Sequence, residues 1–376
     1  MTADHSSSDP QDHPLERPKR RPRYSGTHPR QFEHKYKELN PEAYPDMSEH
    51  VRAQGRTPAG THIPVLVEEL LAAVEPETGD VVLDCTLGFG GHAGVILDRI
   101  GSAGRLIGLD VDAAQLERAT QRLGGVVFDP NQRAASGDPP TVSTHRLHFA
   151  GVGKVLSRER LDGFDIIYAD LGVSSMQIDD PARGFSYKHD GPLDMRMDDR
   201  LPKTAADYLA TLSVRELSDC LREFADEPLH ERIAKAIVEY LTTEPIKRSR
   251  QLARLILRAC QPDSRKPKHR AKAPAPRLHP AARTFQALRI LVNDEMTGLE
   301  QMLRAVPYCL RPGGRIGVIS FHSGEHRRVH DAFAEGIHAG LYAAMSSDPI
   351  RPTPREAGEN PRSRSARLQW ARRAAV

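Results

Sequence analysis

The pattern that most restricts the fold of this chain is a strand, turn and helix unit that occurs twice in succession. Val81-Val82-Leu83-Asp84-Cys85 is a short β-rich apolar run, and it passes through a glycine turn into residues 93 to 100, which have helical spacing. Residues 105 to 110 repeat the strand and 113 to 123 repeat the helix. Two such units in a row require right-handed crossovers, so the expectation is a parallel sheet with helices on its faces. A lead-in at Ile63-Pro64-Val65-Leu66-Val67 runs into a helical pattern over 68 to 74. The sheet is expected to resume around His145-Arg146-Leu147, again over 164 to 169, and finally over 316 to 321.

Between these strands the rhythm is interrupted. Residues 124 to 141 are rich in Gly, Pro and Asp and read as an enlarged surface loop. Residues 204 to 260 read as helical throughout, with a capping box at Ser213-Val214-Arg215-Glu216, and form a helical insertion or lid. A Pro-rich basic strap follows over 262 to 280, carrying Arg265, Lys266, Lys268, Arg270, Lys272 and Arg277. One long helix is expected next, because Phe285, Leu288, Val292, Leu299, Met302 and Val306 recur at spacings of 3, 4, 7, 3 and 4.

The length of 376 residues allows two domains, or one with an insertion, at about 150 residues per domain. With 39% hydrophobic residues, the core must be concentrated in part of the chain. Residues 1 to 60, with 8 of the 29 prolines, 10 Lys+Arg and 9 Asp+Glu, bury too little apolar surface to fold and read as a disordered arm. The division expected is therefore an arm (1–60), a first core segment (61–180), the insertion (181–280), a second core segment (281–348) and an Arg-rich tail (349–376). The net charge of +3 says little about partners. No run approaches the roughly 18 apolar residues of a membrane span and the N-terminus lacks an apolar signal segment, so neither a membrane nor a secreted protein is expected. Cys85, Cys220, Cys260 and Cys309 form no CxxC, which fits free thiols in a reducing cytoplasm.

The turn Asp84-Cys85-Thr86-Leu87-Gly88-Phe89-Gly90-Gly91-His92-Ala93 joins the first strand to a helix, and Asp110 ends the second strand 20 residues beyond Gly90. Such a turn lets a ligand approach the backbone, the helix N-terminus offers free N–H groups, and a second-strand carboxylate can accept from both hydroxyls of a ribose. The spacing Gly88-x-Gly90-x-x-Ala93 suits NAD as well as S-adenosylmethionine, and a purely structural glycine turn is a third reading. Two features favour the methyl donor. Asp84 at the mouth of the turn would repel a pyrophosphate and suit an ammonium group, and none of the nine tyrosines has the Lys four residues on that short-chain oxidoreductases use.

Further along the motifs become specific. Asp170-Leu171-Gly172-Val173-Ser174-Ser175-Met176-Gln177-Ile178-Asp179 leads into Arg183-Gly184-Phe185-Ser186-Tyr187 and Asp190-Gly191-Pro192-Leu193-Asp194-Met195-Arg196-Met197. With His279-Pro280-Ala281-Ala282-Arg283-Thr284-Phe285-Gln286-Ala287-Leu288-Arg289-Ile290, Val318-Ile319-Ser320-Phe321-His322-Ser323 and Asn360-Pro361-Arg362-Ser363-Arg364-Ser365-Ala366-Arg367-Leu368, the chain closely resembles the 16S ribosomal RNA cytosine-N4 methyltransferases (ribosomal RNA small subunit methyltransferase H) over about residues 62 to 373. The resemblance implies a class I S-adenosylmethionine-dependent methyltransferase fold, with a Rossmann-like parallel-type sheet and a helical insertion. It implies S-adenosyl-L-methionine as cofactor and, as partner and substrate, the cytosine at position 1402 of 16S rRNA in the small ribosomal subunit.

Carried over motif by motif, the cofactor contacts fall on Gly90, Gly91, His92, Asp110, Phe149, Asp170 and Gln177. Arg183, Arg196, Arg283, Arg289 and Asn293, in motif segments around the site, are the expected substrate contacts. Asp170 is the expected catalytic residue: with the carbonyls of Leu171 and Gly172 it can hold the amino protons of cytosine and turn the N4 lone pair towards the methyl group. The alternative role for Asp170 is that of a cofactor ligand, and Ser174 and Ser175 read equally as a turn cap. No metal is expected, since His322, His326 and His330 leave only two histidines on a helix. The arm lies outside the family core, the Ser323-Gly324-Glu325-His326 stretch departs from the family's Glu-Asp pattern, and the sequence carries no signal for or against a homodimer. The competing functions are an NAD-dependent oxidoreductase and a non-catalytic ribosome-assembly factor.

Overall fold

The computed structural model describes residues 64–128, 141–261 and 279–375. The proposed arm, most of the enlarged loop and nearly all of the basic strap lie outside the described residues.

The two predicted units are present. Helix α1 (Val67–Val74) precedes β1 (Val81–Asp84), α2 (Gly91–Ile100), β2 (Arg105–Asp110) and α3 (Ala113–Arg122). A short β3 (Val126–Val127) lies in the expected loop, followed by β4 (Val142–Arg146), α4 (Val152–Glu159), β5 (Phe164–Asp170) and the short α5 (Ser175–Asp179). The sheet order is β3-β4-β2-β1-β5-β6-β8-β7, where β6 is Leu310–Ser320, β7 is Tyr342–Met345 and β8 is Arg367–Arg373. Strands β1 to β6 pair in parallel, and β8 runs antiparallel to both β6 and β7. Strand order reverses at β1, which lies between β2 and β5, and this is where open α/β sheets hold ligands.

Each central strand feeds two cores. Leu83, Ile107, Ile167 and Val318 pack on one face of the sheet, and Val82, Leu106, Ile166 and Ile319 pack on the other. Burial on both faces explains why β1 reads as an unbroken apolar run rather than an alternating one.

The insertion has its own core. It comprises α6 (Ala205–Thr211), α7 (Val214–Ala225), α8 (His230–Leu241) and α9 (Ser249–Cys260), so the stretch expected to be helical throughout is four separate helices. The Ser213 capping box is present. Leu209, Leu221, Ile237 and Ile256 join Phe285 and Leu288 in this core.

Two further expectations are corrected. The single long helix is two: α10 (Ala281–Asn293) and α11 (Glu295–Cys309), broken at Asp294, whose φ of 49° is left-handed. The apolar stripe over this segment serves two cores. Phe285, Leu288 and Val292 pack in the insertion, whereas Leu299, Met302 and Val306 pack under the sheet. The Arg-rich segment expected as a tail contributes β8, which fills the sheet between β6 and β7. Helices α12 (Ser323–His338) and α13 (Pro354–Glu359) complete the described elements. No helix among the described residues is long and apolar enough to cross a membrane.

Candidate active site

A cavity of about 370 Å³ opens at the carboxyl ends of β1, β2, β4 and β5, within the range typical of small-ligand sites. Its floor is the turn after β1. Gly88 (φ 51°) and Gly90 (φ 72°) adopt left-handed backbone that other residues enter only with strain. Gly90 is also the residue before α2, so the turn aims the first N–H groups of that helix at the cavity.

Of the expected cofactor residues, Gly91, His92, Asp110, Phe149, Asp170 and Gln177 all line this cavity, and Gly90 shapes the turn beneath it. Asp110 Oδ2 accepts from the Gly88 N–H (2.8 Å) and Oδ1 from the Asp112 N–H (2.8 Å). Each oxygen keeps a second lone pair for a ligand hydroxyl. Burial, opposed by these two hydrogen bonds, raises the Asp110 carboxyl to about 6.

Asp170 occupies the switch point itself. Its backbone N–H donates to Thr86 Oγ1 (2.6 Å), which ties the end of β5 to the glycine turn. Its carboxylate stands 3.7 Å from His92 Nδ1, and the other ring nitrogen of His92 donates to the Val65 carbonyl (2.8 Å). Asp170 Oδ1 is buried with no hydrogen-bond partner among the described residues. Burial, and then the negative charges of Asp84 and Glu325, push this carboxyl well above the usual range. A buried carboxylate lining a glycine-floored cavity, with one oxygen left without a partner, suits a ligand carrying N–H donors and positive charge.

Asp84 does not play the part expected of it. It is buried under the turn, where Oδ1 accepts from the Thr86 N–H (3.0 Å) and Oδ2 from the Tyr168 hydroxyl (2.7 Å). Burial raises its pKa to about 7 against those bonds. It therefore cannot meet an ammonium in the cavity and does not select the methyl donor.

Each of the expected substrate arginines, though partly exposed, donates to an acceptor of the protein. Arg183 pairs with Asp112 (2.8 Å) and also donates to the carbonyls of Arg196 and Met197. Arg196 forks onto both oxygens of Asp194. Arg289 forks onto Glu295 (2.8 and 2.9 Å), bridging the helix break, and Arg283 donates to the Asp226 carbonyl. Asn293 alone of the five lines the cavity, and it holds the Met195 carbonyl and Met197 N–H at its rim. Of the three histidines considered as metal ligands, His322 meets Glu325, His326 meets Ser320 and His330 meets Asp331.

Sequence reasoning missed Asp112. This buried residue caps α3 through the N–H groups of Ala114 and Gln115, and its other oxygen receives Gln115, Gln177 and Arg183. Burial alone would raise its carboxyl, but the Gln177 and Arg183 contacts outweigh it and lower the pKa. The signal available was the Asp-Ala-Ala-Gln start of the second crossover helix. Ser174, by contrast, is the turn cap: it forms a capping box with Gln177.

Residues 59–374 match the sequence model of the MraW methylase family. The chain belongs to that family. Among its relatives, one from Lachnoclostridium phytofermentans, named ribosomal RNA small subunit methyltransferase H 1, is 42% identical over 94% of this chain and 92% of its own length. Its namesake from Agathobacter rectalis is 40% identical over 95% and 98%, and ribosomal RNA small subunit methyltransferase H of Koribacter versatilis is 41% identical over 83% and 94%. The MraW model begins at residue 59, whereas the first two relatives match at least 94% of the chain. The likeness therefore reaches into the N-terminal arm, which is additional to the family core but shared with these relatives.

Proposed function

We infer that this MraW-family chain methylates the exocyclic N4 amino group of a cytosine in 16S rRNA, at position 1402 in the decoding region, with S-adenosylmethionine as donor. The observation that carries the chemistry is Asp170, whose buried carboxylate lines the cavity at the switch point and has one oxygen without a hydrogen-bond partner among the described residues. Bound there, S-adenosylmethionine supplies an electrophilic methyl group on a sulfonium.

The residues divide the work. The Gly88–Gly91 turn and the α2 N-terminus receive the donor, and Asp110 accepts from its ribose hydroxyls through the lone pairs that Gly88 and Asp112 leave open. Phe149 and Gln177 flank it. Asp170 and the Leu171 and Gly172 carbonyls accept the N4 protons, turning the nitrogen lone pair towards the methyl group. As the new N–C bond forms and the C–S bond breaks, N4 becomes acidic and Asp170 holds the proton it sheds. A carboxyl raised by burial is suited to that proton. The base must leave its stack to arrive here, and the rim formed by Met197, Asp198 and Asn293 belongs to the insertion side of the cavity.

Small subunits lacking the modification, incubated with the protein and methyl-labelled donor, should gain one N4-methylcytosine at that position, read by nuclease digestion and mass spectrometry. Absence of label on particles and on free rRNA alike would overturn the assignment and favour a non-catalytic assembly role.

A further inference from the structure

At the carboxyl edge of the sheet, beside the cavity, two arginines and a neutral histidine line up along the ends of β6 and β8. Ser320 ends β6 and pairs with Arg367, the first residue of β8. On the other side of β8 an antiparallel bridge joins Ile350 to Leu368, which sets Arg351 opposite Arg367. His326, from the first turns of α12, reaches the same place and hydrogen-bonds Ser320 Oγ through Nδ1 (2.6 Å). Like charges directly opposite one another across strands are destabilising. No carboxylate pairs with either arginine among the described residues, and the Arg367 guanidinium donates only to the carbonyls of Arg364 and Ala366. Glu325, the acid that acts on His326, is committed to the Phe321 N–H and to His322. Burial, together with Arg367, His322 and Arg351, drives the His326 imidazole down to about 4 against the pull of Glu325. The row adjoins the site: Phe321 follows Ser320 and Glu325 precedes His326, and both line the cavity.

We propose that Arg351, Arg367 and His326 form a phosphate-binding row that grips the RNA backbone beside the nucleotide entering the cavity. The proposal rests on the RNA-methylating reading above. A phosphate relieves the repulsion between the two guanidinium groups and offers its tetrahedral set of oxygens to their planar, multi-donor forks. The exposed Arg351 forms the outer end of the row and Ser320, joined to His326, the inner end. A strand laid along it would be held just where its base turns inward.

The test uses the full chain, a single-stranded RNA oligonucleotide spanning the target cytosine, and binding measured across salt concentration. Arg351→Gln should weaken RNA binding about fivefold near 0.1 M salt and make the log–log salt slope shallower by about 0.7, the share of one phosphate on a single strand. Its affinity for S-adenosylmethionine and its rate at saturating RNA should stay at wild-type values, and Arg351→Lys should restore the slope. An unchanged slope and affinity in Arg351→Gln would overturn the proposal. So would a loss of S-adenosylmethionine affinity with RNA binding intact, which would give the row to the donor's carboxylate. If the wild type binds RNA with the Arg351-dependent slope yet transfers no methyl group to small subunits, the functional reading fails and the phosphate row stands.

Discussion

Gln177 Nε2 donates to Asp112 Oδ2 at 2.9 Å, joining residues 65 positions apart and closing one wall of the cavity. At the same time Gln177 Oε1 accepts from the Ser174 N–H, so both ends of the amide are held by the protein. The glutamine that the family resemblance assigns to the cofactor thus has its orientation set by Asp112, which also holds Arg183.

Asp112→Ala should therefore destabilise the protein by about 2–4 kcal/mol, because it removes a helix cap and leaves the Gln177 amide and Arg183 guanidinium short of an acceptor. Gln177→Ala removes one of these bonds and the acceptor for the Ser174 N–H, and should cost about 1–2 kcal/mol. Urea unfolding of both variants orders them. Equal losses would show that the helix cap and the Arg183 contact together contribute no more than the Ser174 bond.

Asp110→Ala should weaken S-adenosylmethionine binding by about 1.5–3 kcal/mol through loss of the ribose acceptor. The pH dependence has a definite sign. Burial raises the Asp110 carboxyl to about 6, so it is ionised and able to accept at pH 7 and above, and protonated below pH 6. Donor affinity should fall as pH drops through about 6, and Asp110→Asn should flatten that limb. The same raised pKa makes the folded state the tighter proton binder between about 4 and 6, so this group's contribution to stability declines as pH rises through that window. Calorimetry from about pH 5 to 8 reads the binding limb.

Asp170→Asn retains the shape of the side chain while removing its charge and converting one acceptor into a donor. Single-turnover transfer at saturating S-adenosylmethionine should drop by about 10²-fold or more with the fold intact, since the lost interaction is felt mainly in the transition state. Full recovery at saturating donor would reduce Asp170 to a cofactor ligand and move the acceptor role to the Leu171 carbonyl.

Asn293 ties the insertion side of the rim to α10 by accepting from the Met197 N–H (2.7 Å) and donating to the Met195 carbonyl (2.8 Å). Asn293→Ala leaves both backbone groups unpaired and should cost about 1–3 kcal/mol. KM for the RNA substrate should rise more than the dissociation constant of the donor, whose proposed contacts lie on the sheet side. Steady-state kinetics beside donor titrations separate the two.

The alternation of strand and helix patterns determined the parallel sheet, because a twisted strand feeding a helix returns to the sheet in only one hand. The glycine turn and the acid ending the second strand located the cavity, since both act through local backbone geometry that a sequence displays directly. What the sequence could not decide was which partner each polar side chain would choose. Arg183 reads as a free cation near a motif, yet its carboxylate lies 71 positions away on Asp112, and the acid that holds Arg289 lies beyond a helix break. The spacing of Phe285 to Val306 reports a repeating apolar face but carries no record of which core that face enters, so the break at Asp294 stayed hidden. The Arg-rich end became β8 only because β6 and β7 present open edges on either side of it. Backbone propensity and hydrophobic period are properties of neighbours in the chain, whereas ion pairing, burial and strand insertion are properties of neighbours in space, and those the tertiary structure alone supplied.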